Sequence, residues 1–367
     1  MRNRFSHSLI IASVAGGLLG GFGLVGCGGE GPTPWPGSAP PNSGPPPNMP
    51  VQTPPGEAAP TSPEDEAVPV EIPTAGHESK RFKVTLTAEF TELPEGARIL
   101  APSPRDRRYQ KVSKSEHSGA PGAVMPAEDH ENLFFVSDAL TAPTASYSGT
   151  FEVTRRQGSQ GALQAAEGQD YDGSEPPLGE VSTDAGIVAA ATALGAEKKK
   201  PYDEVLAVLA AAGGIALADD GPADAAKALA DKRASELGLA RATVEMLRLR
   251  GVVAQVVQGI DLGAGSGTVS TSRVWLDANM PQLGWVPLDP AKRRSMEDWP
   301  GEVRYVGLLP VDRIDLAYGD STVLAEDGSF PRTTLTGDLA TPMAIKDGAR
   351  VGKVTWSAKI EVLPDAE

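Results

Sequence analysis

Strict alternation of apolar and polar positions marks both ends of the ordered part of the chain. Phe82, Val84 and Leu86 alternate with polar residues, and the same period recurs over residues 353–363 near the C-terminus. Successive side chains of a β-strand point to opposite faces, so this period predicts strands. Two further strand candidates lie at 133–136 and 147–153. Short strands separated by Pro/Gly turns predict a small β-sandwich over residues 79–157.

A different period governs the middle of the chain, where residues 184–250 are rich in alanine and apolar positions recur at helical spacing. The predicted helices are Tyr202–Ala212, Asp224–Leu237 and Leu239–Leu249. Three strand candidates follow, at 252–258, 271–277 and 285–288. Residues 158–180 are predicted as a linker, 181–310 as an α+β core, and 311–367 as a C-terminal β extension.

The first residues carry the features of an export signal. Arg2 and Arg4 precede an apolar stretch that ends in Leu24-Val25-Gly26-Cys27. This ending resembles the lipobox of bacterial lipoproteins, which implies that residues 1–26 are removed and that Cys27 carries a lipid. Gly28 resembles the residue found in lipoproteins sent to the outer membrane, where the host has one. A plain secretory signal or a membrane helix is the alternative, and the many glycines argue against the helix.

Residues 27–78 are dominated by Pro, Gly, Ser and Ala. Such a composition buries too little apolar surface to offset the entropy of ordering. We expect a disordered, extended tether that holds the folded part away from a lipid surface.

Charge and cysteine content exclude several classes of function. The chain of 367 residues has a formal charge of −15, which disfavours binding to nucleic acid. One cysteine cannot form an internal disulfide, and with four histidines it makes a zinc site of the usual type improbable. We therefore expect no metal and no cofactor.

A set of spaced residues carries a family resemblance that covers most of residues 80–320. Its most specific part is a Trp-x-x-x-Asp-Pro segment ending a strand. The matching positions in the core are Leu247, Arg248, Gly251, Ala254, Trp275, Gly284, Trp285, Val286, Leu288, Asp289 and Pro290. This pattern resembles the transglutaminase-like superfamily, which is similar to papain-type enzymes. The resemblance implies an α+β, papain-like core of helix plus antiparallel sheet, preceded by a small β-sandwich.

The family's active site is a cysteine at a helix start, a histidine on a neighbouring strand, and an aspartate on the next strand. A helix N-terminus favours the thiolate, and the imidazole acts as base and then acid. The resemblance places these roles at Glu236 (or Ser235), Arg273 and Asp289, so only the aspartate is present. The sole cysteine is Cys27 and no histidine follows His130. Acyl transfer of the cysteine type is therefore not expected.

The two replacements have opposite charges, which permits two arrangements. In the first, Glu236 and Arg273 form a structural ion pair with Asp289 beside Arg273, since buried charges are normally paired. In the second, Arg273 stays open and binds a carboxylate or an anionic sugar. Trp275, Trp285 and Asp277 could line an adjoining groove, although tryptophans on strands more often pack in the core.

These observations predict an exported, lipid-anchored protein of the bacterial envelope with an inactive transglutaminase-like domain. We expect it to bind or scaffold an envelope protein or peptide, with the lipid on Cys27 as its membrane contact. The alternative is a hydrolase or acyl-transfer enzyme acting on peptide or glycan through surviving carboxylates, such as Glu236 with Asp277 or Asp289.

Overall fold

The computed structural model describes residues 79–129, 131–156, 166–176, 178–195, 200–262, 266–292, 312–324 and 330–364. The predicted signal segment 1–26 and the predicted tether 27–78 lie outside these residues. Within them, no helix is long and apolar enough to cross a membrane.

The described residues form four helices and eighteen strands. The helices are α1 (Ala185–Ala193), α2 (Pro201–Ala212), α3 (Ala225–Asp231) and α4 (Glu236–Leu249). The strands are β1 (Ser79–Thr91), β2 (Arg98–Ser103), β3 (Gln110–Gly119), β4 (Gly122–Pro126), β5 (Leu133–Ser137), β6 (Ala145–Arg156), β7 (Ala216–Leu217), β8 (Arg233–Ala234), β9 (Ala254–Asp261), β10 (Gly267–Val269), β11 (Arg273–Met280), β12 (Gly284–Leu288), β13 (Arg313–Tyr318), β14 (Ser321–Leu324), β15 (Thr333–Thr336), β16 (Met343–Lys346), β17 (Ala349–Arg350) and β18 (Lys353–Leu363).

Two five-stranded sheets build the β-sandwich. Their strand orders are β10-β18-β1-β6-β3 and β17-β16-β2-β5-β4. The alternating apolar residues of β1 face the second sheet and are at most 1% exposed, as Phe82, Val84 and Leu86 show. Burying each such side chain contributes roughly 1.5–3 kcal/mol. The apolar positions of the alternating sequence pattern therefore form the inner face of the sandwich.

The sandwich is completed by strands from distant parts of the chain. β18 runs antiparallel to β1, with Arg81 opposite Leu363 and Phe90 opposite Val354. β10, from the predicted core region, pairs with the other edge of β18. β13, which follows residue 310, belongs instead to the core sheet. The two ends of the described chain thus lie side by side in one sheet.

The core is a four-stranded antiparallel sheet of order β12-β11-β9-β13, against which α4 packs. Leu239 and Leu247 of α4 share one hydrophobic cluster with Val256 of β9 and Leu276 of β11. This confirms the predicted α+β architecture. Part of the predicted linker packs on the core as well: Ala166 is fully buried in the same cluster, and the Tyr171 hydroxyl donates a hydrogen bond to the Asn279 carbonyl at 2.7 Å.

One helix prediction was wrong in its bounds. The helix predicted over Asp224–Leu237 ends at Asp231, because Lys232 adopts a left-handed backbone with φ of 48°. The next helix, predicted to begin at Leu239, begins at Glu236 with Ser235 as its N-cap. Residues 232–235 contain neither glycine nor proline, so helix propensity alone predicts no break between the two helices. Gly251 follows the C-terminus of α4 with φ of 86°, the left-handed conformation that favours glycine there.

Candidate functional site

The site begins at the N-terminus of α4. The Ser235 hydroxyl accepts a hydrogen bond from the Gly238 N–H at 3.2 Å and donates one to the Pro222 carbonyl at 3.3 Å. A capping serine of this kind fixes where the helix starts. Glu236 is therefore the first helical residue, at the end where the helix dipole favours a negative charge.

Arg273 is the first residue of β11, and the structure brings it to Glu236. The Arg273 Nη2 and the Glu236 Oε1 are 2.5 Å apart. The second carboxylate oxygen accepts a hydrogen bond from the Val274 N–H at 3.3 Å. The two residues that the resemblance assigns to the catalytic cysteine and histidine thus form an ion pair. The Arg273 and Glu236 side chains are 33% and 26% exposed, so the pair borders solvent rather than lying sealed in the core.

Opposing influences act on the Glu236 carboxyl. Burial raises its pKa, and the nearby Asp289 carboxylate raises it further. The Arg273 guanidinium and the Val274 N–H favour the ionised form and lower the pKa, but the net shift is upward. The ion pair is therefore partly desolvated.

The ion-pair hypothesis placed Asp289 beside Arg273, but Asp289 forms its ion pair with another residue. It is 3% exposed and lies 2.5 Å from the Nη2 of Arg313 on β13. Its other oxygen accepts hydrogen bonds from the N–H groups of Ala291 and Lys292 at 2.9 and 3.0 Å. These partners hold the carboxylate in the interior, so the residue that the resemblance assigns to the catalytic aspartate makes structural contacts.

A cleft of about 1010 Å³ adjoins the ion pair. Its walls are formed by the start of α4, by the residues that lead into β11, and by residues of the C-terminal region. The lining includes Ser235, Glu236, Arg273, Lys292, Asp338, Thr341 and Trp356. Trp356 is the only tryptophan on this wall among the described residues. The period over residues 353–363 predicts a strand that contains Trp356, but it does not predict the cleft, whose wall depends on the pairing of β18 with β1.

Trp275, Trp285 and Asp277, suggested as a possible groove, do not share one surface, and the favoured alternative of core packing describes Trp275. Trp275 is 1% exposed and packs in the core under the Arg313 guanidinium, whose central carbon is 5.1 Å from the ring centroid. Trp285 and Asp277 line a separate cavity of about 80 Å³. That cavity is bordered by residues 107–109 and 131, which precede the core in the chain. The family position of Trp275 is therefore a packing position.

Metal chemistry has no candidate among the described residues, since they contain no group of three or more His, Cys, Asp or Glu placed to hold a metal ion. What the cleft offers is a partly exposed ion pair, several hydroxyls and one indole ring. Such groups recognise a ligand by hydrogen bonds, charge and stacking.

Residues 189–290 match the family model described as the transglutaminase-like superfamily. These residues form a transglutaminase-like domain. The matched segment contains the start of α4, β9, β11 and β12, and it ends at Pro290 beside Asp289. No curated protein matches the chain significantly in sequence.

The chain is also similar to solved structures, and the first of those named here supports the fold. A candidate cysteine protease from Cytophaga hutchinsonii is similar over 80% of this chain and 94% of its own, with 13% identity and a TM-score of 0.54. The periplasmic domain of TgpA from Pseudomonas aeruginosa matches 61% of this chain and 92% of its own, with 15% identity and a TM-score of 0.29. At such identities the likeness concerns the fold alone. The first match extends beyond the transglutaminase-like domain to most of the described chain.

Proposed function

We propose that this protein is a lipid-anchored protein of the bacterial envelope whose transglutaminase-like cleft binds a peptide segment without acyl transfer. The observation that carries the proposal is the Glu236–Arg273 ion pair at the family's cysteine and histidine positions, beside a cleft of about 1010 Å³. The reactive groups have been replaced while the space next to them is retained. A fold alone does not specify a function, so the proposal rests on this site.

The chemistry of the replacements supports a non-catalytic role. Acyl transfer in this family needs a thiolate nucleophile and an imidazole that moves the proton. A carboxylate paired with a guanidinium supplies neither, because the guanidinium stays protonated at any physiological pH. The only cysteine of the whole sequence is Cys27, and no histidine lies beyond His130.

The lining of the cleft supports a peptide as the ligand. The hydroxyls of Ser235, Ser272 and Thr341 can form hydrogen bonds with peptide amides, and both acidic and basic side chains line the cleft. The Trp356 ring adds an apolar surface on which a side chain of the ligand can pack. Tryptophans at the centre of binding sites often account for much of the affinity.

The geometry gives no support to the alternative of a carboxylate enzyme built on the residues that the sequence suggested. Neither Asp277 nor Asp289 lines the cleft that Glu236 borders. Asp289 is engaged by Arg313, and Asp277 faces the separate cavity. A second carboxylate placed to work with Glu236 from either position is therefore not available.

Binding to the cleft is tested with the purified full chain and an array of peptides from envelope proteins, using titration calorimetry on the hits. We expect Trp356→Ala to weaken the binding of a hit peptide by at least about tenfold, which corresponds to about 1.4 kcal/mol. Trp285→Ala is the matched control, since Trp285 lines the other cavity, and it should leave the affinity unchanged.

Two results would refute the cleft proposal. One is equal affinity in the Trp356→Ala and Trp285→Ala variants. The other is turnover of a bound peptide, by hydrolysis or transamidation, that disappears in Glu236→Gln, since that would make Glu236 a catalytic group.

Anchoring is tested separately, because residues 1–78 lie outside the described part. We expect a cell culture fed an alkyne fatty acid to label the wild-type protein and not Cys27→Ser, and detergent to be needed to extract only the wild type. Label on neither protein would refute the anchor and leave the cleft proposal untouched.

A further inference from the structure

Charged side chains of both signs line the cleft beside the ion pair. Among the described residues of the lining, Asp219, Glu236 and Asp338 are acidic, whereas Arg273 and Lys292 are basic. The charges nearly balance, so their sum does not decide which ligand fits. What decides it is the hydrogen-bonding capacity that each charged group has left after its contacts within the protein.

The acidic groups of the cleft have little unmet capacity. Both oxygens of Glu236 are engaged by the protein, as described above. Asp338 accepts a hydrogen bond from the Ser272 hydroxyl through Oδ2 and one from the Ala340 N–H through Oδ1, each at 3.0 Å. Asp219 is exposed, so water solvates its carboxylate. A cationic ligand would therefore compete with partners that these carboxylates already have.

The Arg273 guanidinium, in contrast, keeps unused donors. Its closest contact with Glu236 is made by Nη2. No described residue accepts a hydrogen bond from Nε or Nη1, and neither atom is buried. These N–H groups are open to solvent on a side chain that lines the cleft. The ion pair already restrains the guanidinium, so less ordering is needed when an acceptor binds.

Lys292 is a second cation with unused capacity. Its backbone is held by the hydrogen bond from its N–H to Asp289. Its ammonium has no acceptor among the residues that the structure describes, and the nitrogen is not buried. Because Lys292 lines the same cleft, its charge attracts an anion there even without touching it. The open charged groups on the cleft wall are therefore donors.

We propose that the cleft binds a carboxylate of its ligand at Arg273, with Lys292 adding to the attraction. This inference rests on the peptide-binding function proposed above and names the charged group of the peptide that is recognised. A guanidinium suits this role, because its planar N–H groups can donate to both oxygens of one carboxylate. The carboxylate is either the C-terminus of the peptide or the side chain of an aspartate or glutamate.

Glu236 has a defined effect on such a site. Its negative charge lies beside the bound carboxylate and opposes it, because Glu236 and the ligand share one guanidinium. Glu236→Gln removes this charge and keeps an oxygen that can accept from the Val274 N–H. The substitution should therefore strengthen binding, whereas loss of Arg273 should weaken it. A purely structural role of the ion pair would make both substitutions weaken binding.

The experiment titrates the full chain with two matched pairs of peptides, followed by ligand-observed NMR. Acetyl-trialanine with a free C-terminus is compared with its C-terminal amide. Acetyl-Ala-Asp-Ala-amide is compared with acetyl-Ala-Asn-Ala-amide. We expect one of the two acids to bind saturably and at least about tenfold more tightly than its neutral counterpart. Which acid binds decides between the C-terminus and the side chain.

Variants locate the site. Arg273→Met should weaken the acid by at least about tenfold, and Lys292→Met should weaken it by a smaller factor. Glu236→Gln should tighten it by at least about threefold. Arg332→Met and Glu128→Gln are the controls, because they remove the same charges from an exposed ion pair outside the cleft. Both controls should bind as the wild type does.

The inference is overturned if neither acid binds more tightly than its neutral counterpart, if Arg273→Met binds the acid as the wild type does, or if Glu236→Gln weakens it. Its failure differs from failure of the peptide function. Peptides that lose affinity in Trp356→Ala but bind equally as acid and amide would leave the peptide function standing. Absence of binding by every array peptide and by both acids would refute the two together.

Discussion

Replacement of Arg313 by methionine should lower the free energy of unfolding by about 3–5 kcal/mol. The guanidinium is 1% exposed and is the cationic partner of Asp289, which is itself 3% exposed. It also lies near Asp261, at 3.5 Å, and over the Trp275 ring. Methionine would keep much of the packing but leave a buried carboxylate without its counter-charge. Urea denaturation followed by tryptophan fluorescence measures the change.

The matched control is Lys353→Met, which removes an ion pair with Glu92 between exposed side chains. Pairs of that kind contribute about 0–1 kcal/mol, so the control should unfold close to the wild type. Asp289→Asn in the Arg313→Met background should recover part of the loss, because the uncompensated charge is removed. A loss below about 1 kcal/mol in Arg313→Met would contradict the structural role given to this pair.

A thiol introduced at the position of Glu236 should be unusually reactive. In Cys27→Ser/Glu236→Cys, the new cysteine is the only one in the chain, at a helix N-terminus with Arg273 close by. Both features stabilise a thiolate and lower the pKa of the thiol. We expect it to react with iodoacetamide at about pH 6.5 roughly tenfold faster than the same thiol in an Arg273→Met background.

Thr87→Cys in the Cys27→Ser background is the reference, since Thr87 lies mid-strand on the surface, away from a helix end. It should react at the rate of an ordinary thiol. If the rate at position 236 does not depend on Arg273, then the guanidinium does not act on that position electrostatically. The experiment tests the geometry of the ion pair without asking for catalysis.

The pairing of Glu236 with Arg273 was one of the two arrangements that followed from the family resemblance, and it was favoured because buried charges are normally paired. Local pattern alone could not bring the two side chains together, because β9 and β10 lie between α4 and β11 in the chain. The helical and strand periods, together with the resemblance, gave the α+β core.

The errors arose where distant segments meet. Asp289 was placed beside Arg273, but its partner is Arg313, on a strand that joins the opposite edge of the sheet. Trp356 was recognisable as a strand residue, but its place on the cleft depends on the pairing of β18 with β1. Hydrophobic periodicity identifies a strand and its buried face, and it does not identify the neighbouring strand.

The antiparallel pairing of β1 with β18 also has a consequence for synthesis. Arg81 can pair with Leu363 only after Leu363 has been synthesised, and at 5–20 residues per second the ribosome needs roughly 15–60 s to reach it. During that time the apolar face of β1 lacks a neighbour on one side, and the sheet cannot close. A chain that ended before residue 353 would lack β18, and the edge of β1 would stay unpaired. An unpaired strand edge is a substrate for chaperones and proteases. Pairing of β1 therefore depends on a segment that is synthesised long after β1 itself.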